Sequence, residues 1–136
     1  AIALAIAGLA VLVAACSSSG GLTGKTWQLN AITENVPAFQ GVVPSADQVN
    51  YTIAFNDDNS AAIKADCNQV GGTYATTSDG GLTIKLGPST MAACPDGSMA
   101  DQYLAGVAAT KSYAVDGDQL ILTLADDGTL QFAAAK

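Results

Sequence analysis

VNYTIAFNDDNSAAIKAD, residues 49–66, is the stretch whose reading decides the fold class. In its first seven residues Val49, Tyr51, Ile53 and Phe55 alternate with Asn50, Thr52 and Ala54. Successive side chains of a strand point to opposite faces, so a period of two places one face in a core and the other toward water. NDDNS, residues 56–60, supplies residues that favour reversal of the chain. The second half returns with Ala61, Ile63 and Ala65 on one face against Ala62, Lys64 and Asp66. An antiparallel hairpin with one buried face is predicted.

The same signal extends in both directions. Upstream, KTWQLNAI (25–32) reads as a first strand with Trp27 and Leu29 on one face, while Pro37, Gly41 and Pro44 mark residues 33–48 as a long connection with room for an edge segment. Downstream, GGTYAT and GGLTIKLG flank Ser78-Asp79-Gly80, and Leu82, Ile84 and Leu86 are expected to face in, with Thr83 and Lys85 out. The period changes once. SMADQYLAGVAAT (98–110) sets Ala100, Tyr103, Leu104, Val107 and Ala108 at helical spacing, with Ser98 and Asp101 as a predicted capping box. Strands then resume as KSYAV, QLILTL and TLQFAA, joined by Asp116-Gly117 and Asp127-Gly128 turns. The fold class expected is mainly β (α+β): a curved, mostly antiparallel sheet or partly open β-barrel, with one helix inserted before the last strands.

Composition narrows the function. The 136 residues suffice for one domain. Eleven Asp and one Glu oppose five Lys, with neither Arg nor His, for a net charge of −7. Without a basic cluster, binding to nucleic acid or electrostatic adhesion to anionic lipid is not expected. An enzyme is not expected either, because His, the commonest general base, and Arg, the bidentate anion clamp, are both missing.

Residues 1–15 carry no charge, and fourteen of the fifteen are apolar. A helix of that length spans roughly 22 Å, short of a hydrocarbon core of roughly 30 Å, so the segment reads as the h-region of a secretory signal. With no Met or basic region before Ala1, the sequence is expected to begin inside that signal. Val13-Ala14-Ala15-Cys16 resembles a bacterial lipobox, which implies a thioether-linked diacylglycerol on Cys16, cleavage before it and acylation of the new N-terminus. Several acyl chains, at about 0.8 kcal/mol per buried CH₂, anchor firmly where one is marginal. Residues 16–21 then form a lipidated tether, and 22–136 the domain. The expected location is the cell envelope: the outer membrane facing the periplasm in a Gram-negative host, otherwise the outer face of the cell membrane.

Export implies an oxidising compartment, where the remaining pair, Cys67 and Cys94, is expected to form a disulfide. Their spacing lacks CxxC and histidine, so zinc and thioredoxin-type chemistry are poorly supported. The acidic turns at 56–59, 116–118 and 125–128 do not complete a calcium loop, since Ala61 and Leu120 fall where oxygen ligands would be needed. No metal and no cofactor are expected. Asn68 beside Cys67 reads first as a turn residue and second as a ligand contact. Trp27, Tyr51, Phe55, Tyr74, Tyr103 and Phe132 read first as core and second as the lining of a pocket. Gly71 and Gly72 are expected to permit close backbone approach or a bulge.

Together these segments resemble the META domain, a family that includes the HslJ-type bacterial heat-shock proteins. The resemblance rests on Trp27-x-Leu29, on CNQVGGTY with Cys67, Asn68, Gly72 and Tyr74, and on STMAACP with Thr90, Ala93, Cys94 and Pro95. It continues through a helix with Tyr103, Leu104 and Val107, then YAVDGDQLILTL and DDGTLQF. Asp66 stands where a Gly often precedes the cysteine, and Met91 and Ala92 stand where a basic residue and Met are common. The resemblance implies a small β-rich domain, often exported and often in lipoproteins; in outline it is also similar to the lipoprotein pilots of type III secretion. The expected function is a membrane-anchored, non-catalytic structural or interaction module linked to envelope stress. The alternatives are a binder of a small apolar ligand such as an acyl chain, and a protein inhibitor or pilot-like module. A monomer is expected, with an envelope protein or apolar small molecule as partner and Trp27, Asn68, Tyr74, Thr90 and Tyr103 as candidate contacts.

Overall fold

Period-two alternation over most of the chain produces nine strands and one α-helix in the computed structural model, which describes residues 21–136. The signal segment and Cys16 lie outside these residues. The strands are β1 (Thr26–Asn35), β2 (Ala38–Val42), β3 (Tyr51–Phe55), β4 (Ser60–Ala65), β5 (Asn68–Thr76) and β6 (Leu82–Ser89). After helix α1 (Ala100–Ala108) come β7 (Thr110–Asp116), β8 (Gln119–Leu124) and β9 (Thr129–Ala134). All pair antiparallel in one sheet, ordered β6-β5-β4-β3-β1-β9-β8-β7, with β2 beside the second half of β1. The sheet curls until its edges touch at one end, where Gly81 bridges to Ser112 and the Tyr113 N–H donates to the Gly80 carbonyl at 3.0 Å. The fold is a half-barrel with its helix before the last three strands, as the alternation predicts.

The hairpin of residues 49–66 forms with Ile53 opposite Ile63 and Phe55 opposite Ala61. Tyr51, Ile53, Phe55, Ala61, Ile63 and Ala65 are all buried. Val49 departs from the expectation: it lies in a 3-10 turn over Ser45–Asn50 and is 54 % exposed. Leu86 also departs: opposite Gly72, at the last regular pair before β5 and β6 slip register, it is 36 % exposed. Gly72 serves that irregularity, since a Cβ there would lie 2.7 Å from the Lys85 carbonyl oxygen. The long connection expected at 33–48 is instead largely a hairpin, with β1 running to Asn35 and pairing with β2. Its turn is set from a distance. Asp126, in the β8–β9 turn, accepts the N–H groups of Asn35 at 2.7 Å and Val36 at 2.9 Å through Oδ2, and that of Gly128 at 2.8 Å through Oδ1.

The concave face holds one core. Trp27 and Tyr103 are fully buried and Phe132 nearly so. Tyr103 packs edge-on against Tyr51 and tilted against Phe132, both at 6.1 Å between ring centres. Such contacts add to what burial of the rings already contributes. The Trp27 indole N–H donates to the Leu22 carbonyl at 2.9 Å, satisfying the one polar atom of that ring. Helix α1 turns Ala100, Tyr103, Gly106 and Val107 inward, leaving Leu104 half-buried and Ala108 exposed. Gly106 lets the helix sit close to β9, since a Cβ there would lie 2.9 Å from a Leu130 methyl. The predicted capping box does not form. The helix starts at Ala100 with Met99 as its N-cap, so Ser98 stands one position too early. The Met99 N–H instead donates to Tyr51 Oη at 3.0 Å, and the Ala100 N–H to Ser98 Oγ at 3.2 Å.

Cys67 and Cys94 are joined, fastening the β4–β5 turn to the segment between β6 and α1. Replacing both by Ala should lower stability by roughly 3.5 kcal/mol on the chain-entropy account of a 27-residue separation. Urea unfolding of the oxidised parent and the double variant measures this, and equal midpoints would refute it. The Asp126 clamp makes a pH prediction. Hydrogen bonds from Val36, Gly128 and Asn35 hold its carboxyl below the ordinary value. Its contribution is therefore complete above the unfolded-state value, about 3.9, and is lost as pH falls through the lowered folded value. Asp126→Asn should be less stable than the parent near neutrality, with the gap narrowing in acid; a gap independent of pH would show that the charge is immaterial.

Candidate functional site

The rim where β4, β6 and β8 end holds the features that differ most from plain sheet. Asn68, first residue of β5, faces the segment 90–99 that leads into α1. Its Oδ1 accepts from the Ala92 N–H at 2.8 Å and from Thr90 Oγ1 at 3.0 Å, while its Nδ2 donates to the Ala92 carbonyl at 2.9 Å. Thr90 Oγ1 also accepts from the Gln69 N–H at 3.0 Å. One amide side chain thus replaces the strand ladder where β6 ends, and the disulfide locks the same spot. Asp66, in the turn before Cys67, has φ of +56°, a left-handed conformation that Asp tolerates better than most side chains.

Two clefts flank α1. At its N-terminal end, Asn68, Cys94, Pro95, Ser98 and Asp101 line a polar cleft of about 260 Å³. Toward its C-terminal end, Val36 and Pro37 of the β1–β2 turn face Ala105 and Gly106 of the helix, its C-cap Ala109 and Leu124 of β8 across an apolar cleft of about 230 Å³. Glu34 and Asp126 supply its carboxylates. Burial, and then the charge of Asp126, push the Glu34 carboxyl above its ordinary value. Its Oε1 is buried and has no hydrogen-bond partner. Among the described residues no group of three or more His, Cys, Asp or Glu is arranged to hold a metal.

The residues singled out in the sequence fall into two places. Cys67, Asn68, Thr90 and Cys94 come together at this rim, where the polar groups of Asn68 and Thr90 bond to protein. Trp27 and Tyr103 are fully buried core and do not reach the surface. Tyr74 sits toward the other rim, edge-on to Phe55, with its hydroxyl donating to the Asn56 carbonyl at 2.6 Å. Burial pushes the phenol of Tyr103 well above its ordinary value, and its Oη has no partner. Cys16 lies outside the described residues. Sequence reasoning passed over Glu34 and Asp126. Glu34 is the single Glu of the chain, and Asp126 reads as one more turn aspartate until β1 and the β8–β9 turn are brought together.

Among solved structures, an NMR structure of a protein from Burkholderia xenovorans is 27 % identical with a TM-score of 0.67, over 85 % of this chain and 84 % of that one. A duf4847 family protein from Bacteroides vulgatus shares the fold at 14 % identity and a TM-score of 0.60, over 85 % of this chain and 95 % of that one. A further NMR structure is similar at 20 % identity and a TM-score of 0.57, over 82 % of this chain and 90 % of that one. No curated protein matches the chain. A comparison with protein families matches residues 20–136, a span that takes in every described residue, to the META domain, and the chain therefore belongs to the META domain family.

Proposed function

We propose that this META domain protein is a non-catalytic interaction module of the HslJ-like type, anchored to the cell envelope by lipid on Cys16 and serving under envelope stress. The observation that carries the reading is the separation of the two rims. The described chain enters at Gly21 and Leu22, where Thr23 bridges to Phe55 and the Trp27 indole holds the Leu22 carbonyl. That rim also carries the β3–β4, β5–β6 and β7–β8 turns, with Asp57, Asp58, Asp79, Asp116 and Asp118. The disulfide, α1 and both clefts lie at the other. A tether that enters at this rim leaves the opposite rim, which bears Asp66, Asp96, Asp101 and Asp126, as the far side of the domain, and carboxylates at both rims disfavour contact with anionic lipid. The cleft-bearing rim then points away from the membrane. The absence of His and Arg from the sequence supports a role in binding over one in catalysis.

A second reading, a binder of a small apolar ligand, draws support from the apolar cleft beside α1. The concave interior offers such a ligand little room, since Trp27, Leu29, Tyr103 and Phe132 are each at most 1 % exposed.

The anchor and the orientation are tested separately. Cys16→Ser should move the protein from the membrane to the soluble fraction, and a variant that stays bound after signal cleavage rules out lipid on Cys16 as the anchor. A photo-crosslinking residue at Met91, which is 93 % exposed on the cleft-bearing rim, should capture envelope protein, and one at Asp79 should not. The reverse pattern would overturn the orientation.

A further inference from the structure

We propose that the cleft between the β1–β2 turn and the C-terminal half of α1 binds a small alkylammonium: a short aliphatic chain ending in a primary amine. The inference needs neither the lipid anchor nor a protein partner, so its failure would leave the proposed function untouched.

The walls select an aliphatic chain. Val36, Pro37, Ala105, Gly106, Ala109 and Leu124 surround the gap, and the helix residues among them are too small to fill it. Gly106 offers the cleft only backbone, since a Cβ there would point at the buried Leu130, 2.9 Å away. Val36 is 80 % exposed at the mouth, an apolar side chain left largely in water. At about 230 Å³ the cleft lies below the roughly 300–1,000 Å³ of drug-sized sites, which suits a short chain.

The charges select an ammonium head. Both ionisable groups lining the cleft are carboxyls, Glu34 from β1 and Asp126 from the β8–β9 turn, and α1 contributes none. The Asp126 oxygens already accept three backbone N–H groups and hold its charge in place. Glu34 Oε1 is buried beside that charge and accepts no hydrogen bond from the protein, which leaves it open to a donor that a ligand supplies. The lysine nearest this turn, Lys111, is engaged at 2.6 Å with Asp127. A primary ammonium brings donors and a positive charge at once. An alcohol brings no charge, and a carboxylate adds repulsion. A hard cation such as calcium, which takes six to eight oxygen ligands, finds too few here.

The test uses the full chain in zwitterionic lipid nanodiscs, with amide NMR shifts followed during titration with n-hexylammonium, n-hexanol or n-hexanoate. Hexylammonium should give saturable shifts confined to Val36, Ala105, Gly106, Ala109 and Asp126. Hexanol should bind at least about tenfold more weakly, as expected for loss of a charged hydrogen bond, and hexanoate not at all. Glu34→Gln should weaken hexylammonium by a similar factor while leaving the hexanol response unchanged. Ala109→Leu, which fills the cleft without altering charge, should abolish all saturable shifts and serves where Glu34→Gln disturbs the fold. Equal responses to the three probes, no saturable shift, or shifts spread over the exposed aspartates of the opposite rim would overturn the proposal.

Discussion

A single sheet with one apolar face must cover that face, and in this protein the sheet covers itself. Among the described residues every strand contributes to one antiparallel ladder, with no second sheet to pack against. Curling brings β6 to β7 through Gly80, Gly81, Ser112 and Tyr113, and the remaining gap is filled by the apolar side of α1. The other features follow from that closure. Strong curvature requires irregular pairing, and shifts occur in the β1–β9, β5–β6 and β7–β8 ladders. Close backbone approach in the second of these requires a glycine at Gly72.

The insertion of α1 creates the region that differs from its surroundings. A helix placed before the last three strands needs a lead-in, and the segment 90–99 supplies it, tied to strand backbone at its start by the Thr90 N–H on the Gln69 carbonyl. Asn68 and Thr90 provide further hydrogen bonds, the disulfide fixes the segment to the β4–β5 turn, and the Tyr51 hydroxyl accepts the Met99 N–H just before the helix begins. Asn68 and the two cysteines thus form one local framework around a mechanically exposed join. The clefts at the two ends of α1 are the spaces that a short helix leaves when it sits within a wider curved sheet.

Polar groups divide the rims in a similar way. Around the chain entry, aspartates occupy tight turns and bond mainly to their own loops, as Asp58 does to Ser60. At the other rim, Asp126 binds backbone from a different hairpin and Glu34 stands unpaired at an apolar surface. The same residue type is local punctuation at one end and a long-range tie at the other.

The sequence by itself determined most of the strands and their inward faces, the single helix and the cysteine pair, because these depend on short-range periodicity and on two thiols being left to pair. The inward sets of β3 and β4 are read directly from residues 51–65, and that of α1 in part, through Ala100, Tyr103 and Val107. Only the tertiary structure decided the β1–β2 hairpin, the exposure of Leu86, the true start of α1 and the meeting of the Glu34 and Asp126 carboxyls at one cleft. Each of these depends on a group supplied from far along the chain: Asp126 to Asn35, β5 to β6, Tyr51 to Met99. A carboxylate, a bulge or a hydroxyl leaves no periodic trace in the segment it stabilises, so those features became visible once the sheet had curled.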